Sequence, residues 1–354
     1  MRMVTSAMSL FRTTAYFFAL SLLYAHADAT DGRLDIYWID VEGGAATLIV
    51  TPAGESVLID TGLPKVRQVQ RIADTIKRVA KLDHLDHLII SHYDIDHHGG
   101  AAGLAKLVPV KTLYDNGKDF AGRVNDPGEA YWKLECDKRV VVNPGDKIPL
   151  AQRDRSGSPA VVLDCIATRR EFIEPPGDAP TNSELCAGAK RKDEDRSENR
   201  NSMVFILAVG GFRFYNATDL TWNLEEKLVC PVDLVGPVDV CQVTHHGLDR
   251  SNNPLVWRTI KPTVAVMNNG ATKGCATEVV ENLRATPSIK AIFQLHKHQR
   301  PSGAANNTEP KRIANTEKGK AGNLVKLSVS PAGDSYTVRI PATGHEETFE
   351  TRAK

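Results

Sequence analysis

The sequence predicts an α/β fold with two packed β-sheets and helices on the outside. Three observations carry this. Short apolar, β-branched or aromatic segments recur along the chain, interleaved with segments whose apolar residues repeat at three- and four-residue steps. Turns rich in glycine, proline and aspartate separate them. The same order of elements then starts again in the second half, after a long polar stretch.

Residues 1–27 read as a secretory signal peptide. Arg2 and Arg12 give a positive start, residues 15–24 are a short apolar run, and Ala25-His26-Ala27 offers a small-residue cleavage site, with Ala27-Asp28-Ala29 as the alternative. The run falls short of the ~20 residues that a membrane-spanning helix needs. The mature chain, 28–354, is expected to be a single domain, periplasmic or secreted, with no membrane partner once the signal is cleaved. Its 42 basic side chains face 43 acidic ones, which moves the formal charge from +1 to −1. Such a chain exerts no global pull on polyanions, so long duplex DNA is not an expected partner and any anion must be held locally. Cys136, Cys165, Cys186, Cys230, Cys241 and Cys275 form no CxxC pair, which argues against a structural zinc knuckle. In an oxidising compartment one or more disulfides are expected, with the pairing open.

The elements follow in order. Residues 34–40, 46–50 and 56–60 are strands. Pro64 opens a helix in which Val66, Val69, Ile72, Ile76 and Val79 make one buried stripe. Residues 87–91 form a buried strand, followed by a short helix over 101–107 and a strand near 110–114. Residues 167–198 are polar and rich in charge and proline, and are read as an inserted surface loop that tunes substrate choice more than stability. In the second half, 203–209 and 212–216 pair through Gly210-Gly211. Strands at 238–244, 263–267 and 291–295 and a helix at 278–285 come next, and a hairpin of 324–329 with 335–340 closes the chain.

The candidate chemistry sits just after the strand that ends at Ser91. His92, Asp94, Asp96 and His97 place four potential ligands within six residues, and Gly99-Gly100 lets the chain turn at close range. Neutral imidazoles and carboxylates suit zinc, manganese or iron. His84 and His87, just upstream, are expected on the surface.

This HxDxDH segment resembles the HxHxDH signature of the metallo-β-lactamase superfamily, with Asp94 in place of the second histidine. The variant followed by Gly-Gly resembles the metallo-β-lactamase-like domain of ComEC-type competence proteins. Asp40-Val41-Glu42-Gly43-Gly44-Ala45 resembles that group's DVGQGDA start, and Leu58-Ile59-Asp60-Thr61-Gly62 its Asp-Thr-Gly strand end. Asn199-Arg200-Asn201-Ser202 and Thr218-Asp219 resemble its asparagine–serine strand and TGD turn, and Val243-Thr244-His245-His246-Gly247 its HHG turn.

The resemblance implies a four-layer αββα metallo-β-lactamase sandwich holding two divalent metal ions, zinc or manganese. His92 and Asp94 would hold the first ion, and Asp96, His97 and His245 the second. Asp219 would bridge them, and His246 is the alternative to His245. Asp96 and Asp219 would then be catalytic, and Asp60 would orient a ligand histidine. Asn201, His296, Lys297 and Arg300 are expected to meet the substrate, the last three as donors to an anion. No histidine lies between His98 and His245, so the first position would be rich in oxygen, which favours manganese. Gly274-Cys275 stand where the ComEC-like pattern has His-Pro. The leading expectation is a metal-bound hydroxide attacking a phosphodiester or related ester of a small molecule or short oligonucleotide. A β-lactam, lactone or thioester hydrolase is the alternative on the same fold, and a non-catalytic exported metal-binding protein is the third reading.

Overall fold

The computed structural model describes residues 31–154, 157–317 and 322–352, so the signal-peptide segment lies outside the described residues. Period-two alternation sets the layers. On the strand Leu34–Trp38, Leu34, Ile36 and Trp38 enter one core while Tyr37 enters another. On Val204–Val209, Phe205, Leu207 and Val209 enter the core that holds Ile36, whereas Val204 and Ile206 face the opposite way. The shared core therefore lies between two sheets, and each sheet has a second apolar face covered by helices. Each fully buried phenylalanine of the shared layer contributes roughly 2–3 kcal/mol through the area it removes from water.

Among the described residues the first sheet has nine strands. Its order is His345–Glu350, Ser335–Ile340, Val325–Val329, Leu34–Trp38, Thr47–Val50, Ser56–Ile59, Leu85–Ile89, Val110–Asp115 and Lys138–Val141. The second runs Ile313–Asn315, Ala291–His296, Val264–Met267, Val240–Gln242, Phe212–Asn216, Val204–Val209, Val161–Thr168 and Lys147–Ile148, with Glu171–Phe172 paired to Val161–Thr168. Each sheet contains a parallel run. Ser56–Ile59, Leu85–Ile89 and Val110–Asp115 are parallel in the first, and Phe212–Asn216, Val240–Gln242, Val264–Met267 and Ala291–His296 in the second. The C-terminal ends of the two runs open onto the same edge, where ligand-bearing loops belong in open α/β sheets. Side chains tie the sheets together near this edge, since Trp38 Nε1 and Thr47 Oγ1 both donate to Gln242 Oε1, each at 2.9 Å. Helices Val66–Asp74 and Ala101–Ala105 cover the first sheet, and Pro254–Ile260 and Thr277–Arg284 the second. This is the expected αββα sandwich. Among the described residues no helix is long and apolar enough to cross a membrane.

Several expectations need correction. The stripe on the first helix is buried only in its middle: Val69, Ile72 and Ile76 are covered, while Val66 and Val79 are exposed. Val66 opens the helix, and the last turn, Thr75–Val79, is π-helical, which shifts the phase of the stripe by one residue. His87 is buried, not on the surface, with Nδ1 3.2 Å from Tyr114 Oη and Nε2 3.1 Å from Glu55 Oε1. The polar insertion begins later than expected, because residues 161–168 form a full strand. Beyond it the segment is largely exposed but fastened to the body. Cys186 is disulfide-bonded to Cys230, and Thr181 bridges Val232. Cys136, Cys165, Cys241 and Cys275 are free thiols.

Candidate metal centre

Four loops converge at the shared edge. The first sheet supplies the turn after Ile59 and the segment from Ser91 to Gly100. The second supplies the turn after Asn216 and the His245-His246 turn. Their backbones are held in uncommon conformations. Asp60, Thr218, His245 and His246 all have positive φ, at 64°, 48°, 54° and 55°. For non-glycine residues this costs about 1–3 kcal/mol each and persists only where the surroundings enforce it. Here they do so by hydrogen bonds: His245 N donates to Thr218 O at 2.8 Å, and Thr218 N to Asn216 Oδ1 at 2.9 Å. Gly100 is required by close approach, since a Cβ there would lie 2.2 Å from Thr61 O.

Each imidazole is fixed through Nδ1, leaving Nε2 for the centre. His97 Nδ1 is 2.8 Å from Asp60 Oδ2, and Asp60 also accepts from Ser91 N and Ser91 Oγ. His246 Nδ1 is 3.2 Å from Asn268 O, His245 Nδ1 is 3.0 Å from Ser251 Oγ, and His92 Nδ1 is 3.0 Å from Ser91 Oγ. The Nε2 atoms of His97 and His246 face each other at 3.3 Å. Asp219 Oδ2 lies 3.1 Å from the first and 3.3 Å from the second, and Asp96 Oδ2 lies 3.3 Å from His246 Nε2. Two imidazole nitrogens in this position need a cation or a shared proton between them. Among the described residues buried His92 Nε2 has no hydrogen-bond partner, as an unspent ligand atom would. Two overlapping sets of ligand atoms, His92/His97/Asp219 and Asp96/His97/His246, each lie within 4.8 Å of one another, and because they share His97, whose single free Nε2 serves one ion, they are alternative sets around that ring.

The charges agree with this. Burial opposes ionisation of Asp219, yet His246, His97 and His245 hold its carboxyl well below the usual range. Asp96 is likewise low despite its burial, through His97, His246 and Lys273. Burial lowers His97, but Asp219, Asp60 and Asp96 outweigh it and raise the ring well above its usual value. His245 behaves otherwise, as burial pushes it down to about 4. The cluster is a carboxylate cage that demands positive charge, and the residues fit divalent metal.

The structure revises several placements. His246, not His245, joins Asp96 and His97, because the left-handed turn aims its ring between Asp96 and Asp219. His245 Nε2 instead lies 3.5 Å from Asp219 Oδ2 and 3.4 Å from Asn199 Nδ2. Asp94 Oδ2 is 3.7 Å from His92 Nε2, and the carboxylate is held from behind by Asn125 Nδ2 at 2.5 Å from Oδ1. Asp60 stands behind His97. Asn201 is fully buried and turned away from the cluster, donating to Gly122 O and Glu198 Oε2, so it braces the rim rather than meeting a substrate. His296 is buried too, with Nε2 2.6 Å from Asp40 Oδ1, and Asp40 is paired with Arg71. It joins the two sheets and is not part of an exposed basic loop. Lys297 and Arg300 are solvent-exposed.

Three site residues went unread. Asn199 sits two positions before Asn201 in the matched Asn-Arg-Asn-Ser segment, and the sequence does not say which amide turns inward. Lys273, whose Nζ is 2.5 Å from Asp96 Oδ2, lies in the loop just ahead of Gly274-Cys275. A basic residue at that point was its only signal. Asn125 comes from a loop with no motif.

Residues 39–184 match the model of the metallo-beta-lactamase superfamily. A UPF0173 metal-dependent hydrolase of Anaeromyxobacter dehalogenans is 24% identical over 79% of this chain and 90% of its own length. Competence protein ComA of Neisseria gonorrhoeae is 23% identical over 71% of this chain, a match spanning 29% of that protein. The metallo-beta-lactamase fold protein YhfI from Bacillus subtilis aligns over 74% of this chain and 95% of its own at 12% identity, with a TM-score of 0.44. Residues 39–184 therefore resemble the metallo-β-lactamase superfamily, and the chain is distantly similar to metal-dependent hydrolases and competence proteins.

Proposed function

We propose that this chain is an exported, metal-dependent hydrolase with two metal positions, acting on a phosphodiester or a related ester of a small molecule or short oligonucleotide. The convergence of the His97 and His246 Nε2 atoms with the Asp96 and Asp219 carboxylates carries this reading. Asp96, His97 and His246 would hold one ion and His92 with Asp219 the other; zinc and manganese both suit these donors. Divalent ions bound there supply Lewis acidity, making water nucleophilic near neutral pH and polarising a scissile phosphoryl or carbonyl oxygen. The chain's own contribution is orientation. Asp60 fixes the His97 ring, Asn268 O fixes His246, and Asn125 holds Asp94 at the mouth.

Three further points support the reading. The name of the Anaeromyxobacter relative favours hydrolysis with metal. The oxygen donors Asp94, Asp96 and Asp219 favour hard cations that act on phosphate oxygens. Lys273 and Arg300 line one groove at this edge and give a local positive patch for an anion. Export is supported by the apolar N-terminal run and by the Cys186–Cys230 disulfide, a bond that persists in oxidising compartments. The test is a screen of manganese- and zinc-loaded protein against a p-nitrophenyl phosphodiester, a β-lactam, a lactone and a thioester. Manganese-stimulated phosphodiester cleavage is expected. Intact phosphodiesters with an opened β-lactam or lactone would overturn the substrate class, and no turnover of any of them would favour a binding protein.

A further inference from the structure

Lys273 has no role in the expected ligand set, yet its ammonium group reaches the centre. Its Nζ donates to Asp96 Oδ2 at 2.5 Å, the same oxygen that lies 3.3 Å from His246 Nε2 and 3.7 Å from His97 Nε2. The loop that carries it is locked to the ligand turn. Gly270 N donates to Lys273 O, and Gly274, at φ 87°, packs so close that a Cβ there would lie 1.9 Å from His246 O. The lysine stem is therefore anchored while its side chain stays about one-third exposed, at 34%. It is reachable from solvent. On its open side it lines a groove of about 380 Å³ together with His298, Arg300 and Asn306.

We propose that Lys273 is a tethered cation with two tasks: it competes with metal for Asp96, and once displaced it anchors an anionic group of the substrate beside the metal centre. The assignment rests on the metal-dependent hydrolase reading. One carboxylate oxygen cannot serve an ammonium at contact distance and a divalent ion equally, and the two cations repel strongly in a partly desolvated site. Metal binding therefore turns the ammonium away from Asp96. The stem is fixed at Gly274, so the charge remains at the mouth, where the groove admits an anion and Arg300 adds a second donor. Lys273 thereby contributes to substrate affinity while limiting how tightly the second ion binds.

The two tasks predict opposite changes in one variant. Lys273→Met keeps the stem and removes the charge. Manganese titration of the mature protein, followed by titration of inorganic phosphate into the manganese-loaded form, reads both. Manganese should bind about tenfold tighter to Lys273→Met than to wild type, and phosphate about tenfold weaker, with Lys273→Arg restoring phosphate binding. A lysine that merely supported the loop would weaken both when replaced, and that result overturns the proposal, as does no change in either. Wild-type protein that binds no manganese and no zinc while folded is a distinct result, and it removes the hydrolase reading itself together with this assignment.

Discussion

Asp96, His97 and His246 form a closed group, whereas His92, equally buried, faces Asp94 at an open rim. In the closed group both imidazoles are fully buried and both are held through Nδ1, by Asp60 and by Asn268 O. In the open group Asp94 is one-quarter exposed, its side chain at 25%, and depends on Asn125, a residue from a loop with no regular structure. The difference teaches which part of the centre the fold builds and which part a loop completes. Both sheets and their core enforce the closed group, and it should bind metal first. The open group depends on Asp219, whose Oδ2 also faces His97 and His246, and should bind second.

The comparison can be broken most severely at Asp219, whose Oδ2 faces His97, His245 and His246 together. Asp219→Ala should drop metal content below one ion per chain and abolish turnover, as read by elemental analysis and a substrate screen. Retention of one full equivalent would show that the groups do not share this carboxylate. At Asp60, a partner of a ligand rather than a ligand, Asp60→Asn should weaken metal binding by about 10–100-fold while the fold survives. Unchanged affinity would mean that the His97 ring is held by packing alone.

A third prediction concerns the scaffold behind the second-sheet turn. Glu225, on the helix Trp222–Lys227, is fully buried, and its Oε2 accepts from Asn253 N at 2.7 Å. Burial pushes its carboxyl up to about 8 from an ordinary 4.5. Between those values the native chain keeps a proton that the unfolded chain has lost, so the group costs about 1.4 kcal/mol of stability per unit as pH rises. Stability linked to Glu225 is complete below about pH 4.5 and declines toward pH 8. Glu225→Gln should flatten that part of the Tm profile; parallel profiles for variant and wild type would place the proton elsewhere. The smallest effect is expected at Asn125. Asn125→Ala should weaken only the second metal equivalent, by a few-fold, because it removes one hydrogen bond to a partly exposed carboxylate. A loss of the first equivalent would invert the comparison.

Legibility in the sequence follows the same division. The cluster after Ser91 stood out because polar donors begin where an apolar strand stops, while the ligand set, including Asp219 and the His245-His246 turn, came from the resemblance in motifs. The layers were readable from alternation, as along Leu34–Trp38. What stayed hidden depended on contacts between distant segments. The choice between His245 and His246 is made by a left-handed turn, which no residue pattern announces. His296 looked like part of a basic loop, and only the meeting of the two sheets shows it paired with Asp40. Lys273 and Asn125 reach the centre from loops whose paths are set by tertiary packing. The edge strand His345–Glu350 alternates with exposed residues and carries little apolar signal of its own.

The central claim is that His246 and not His245 completes the tight metal position. Metal stoichiometry and affinity of His246→Ala and His245→Ala, measured by calorimetric titration of manganese or zinc beside wild type, test it directly. The account predicts that His246→Ala loses the tight equivalent while His245→Ala keeps it. A tight equivalent that survives His246→Ala and disappears with His245→Ala would contradict it.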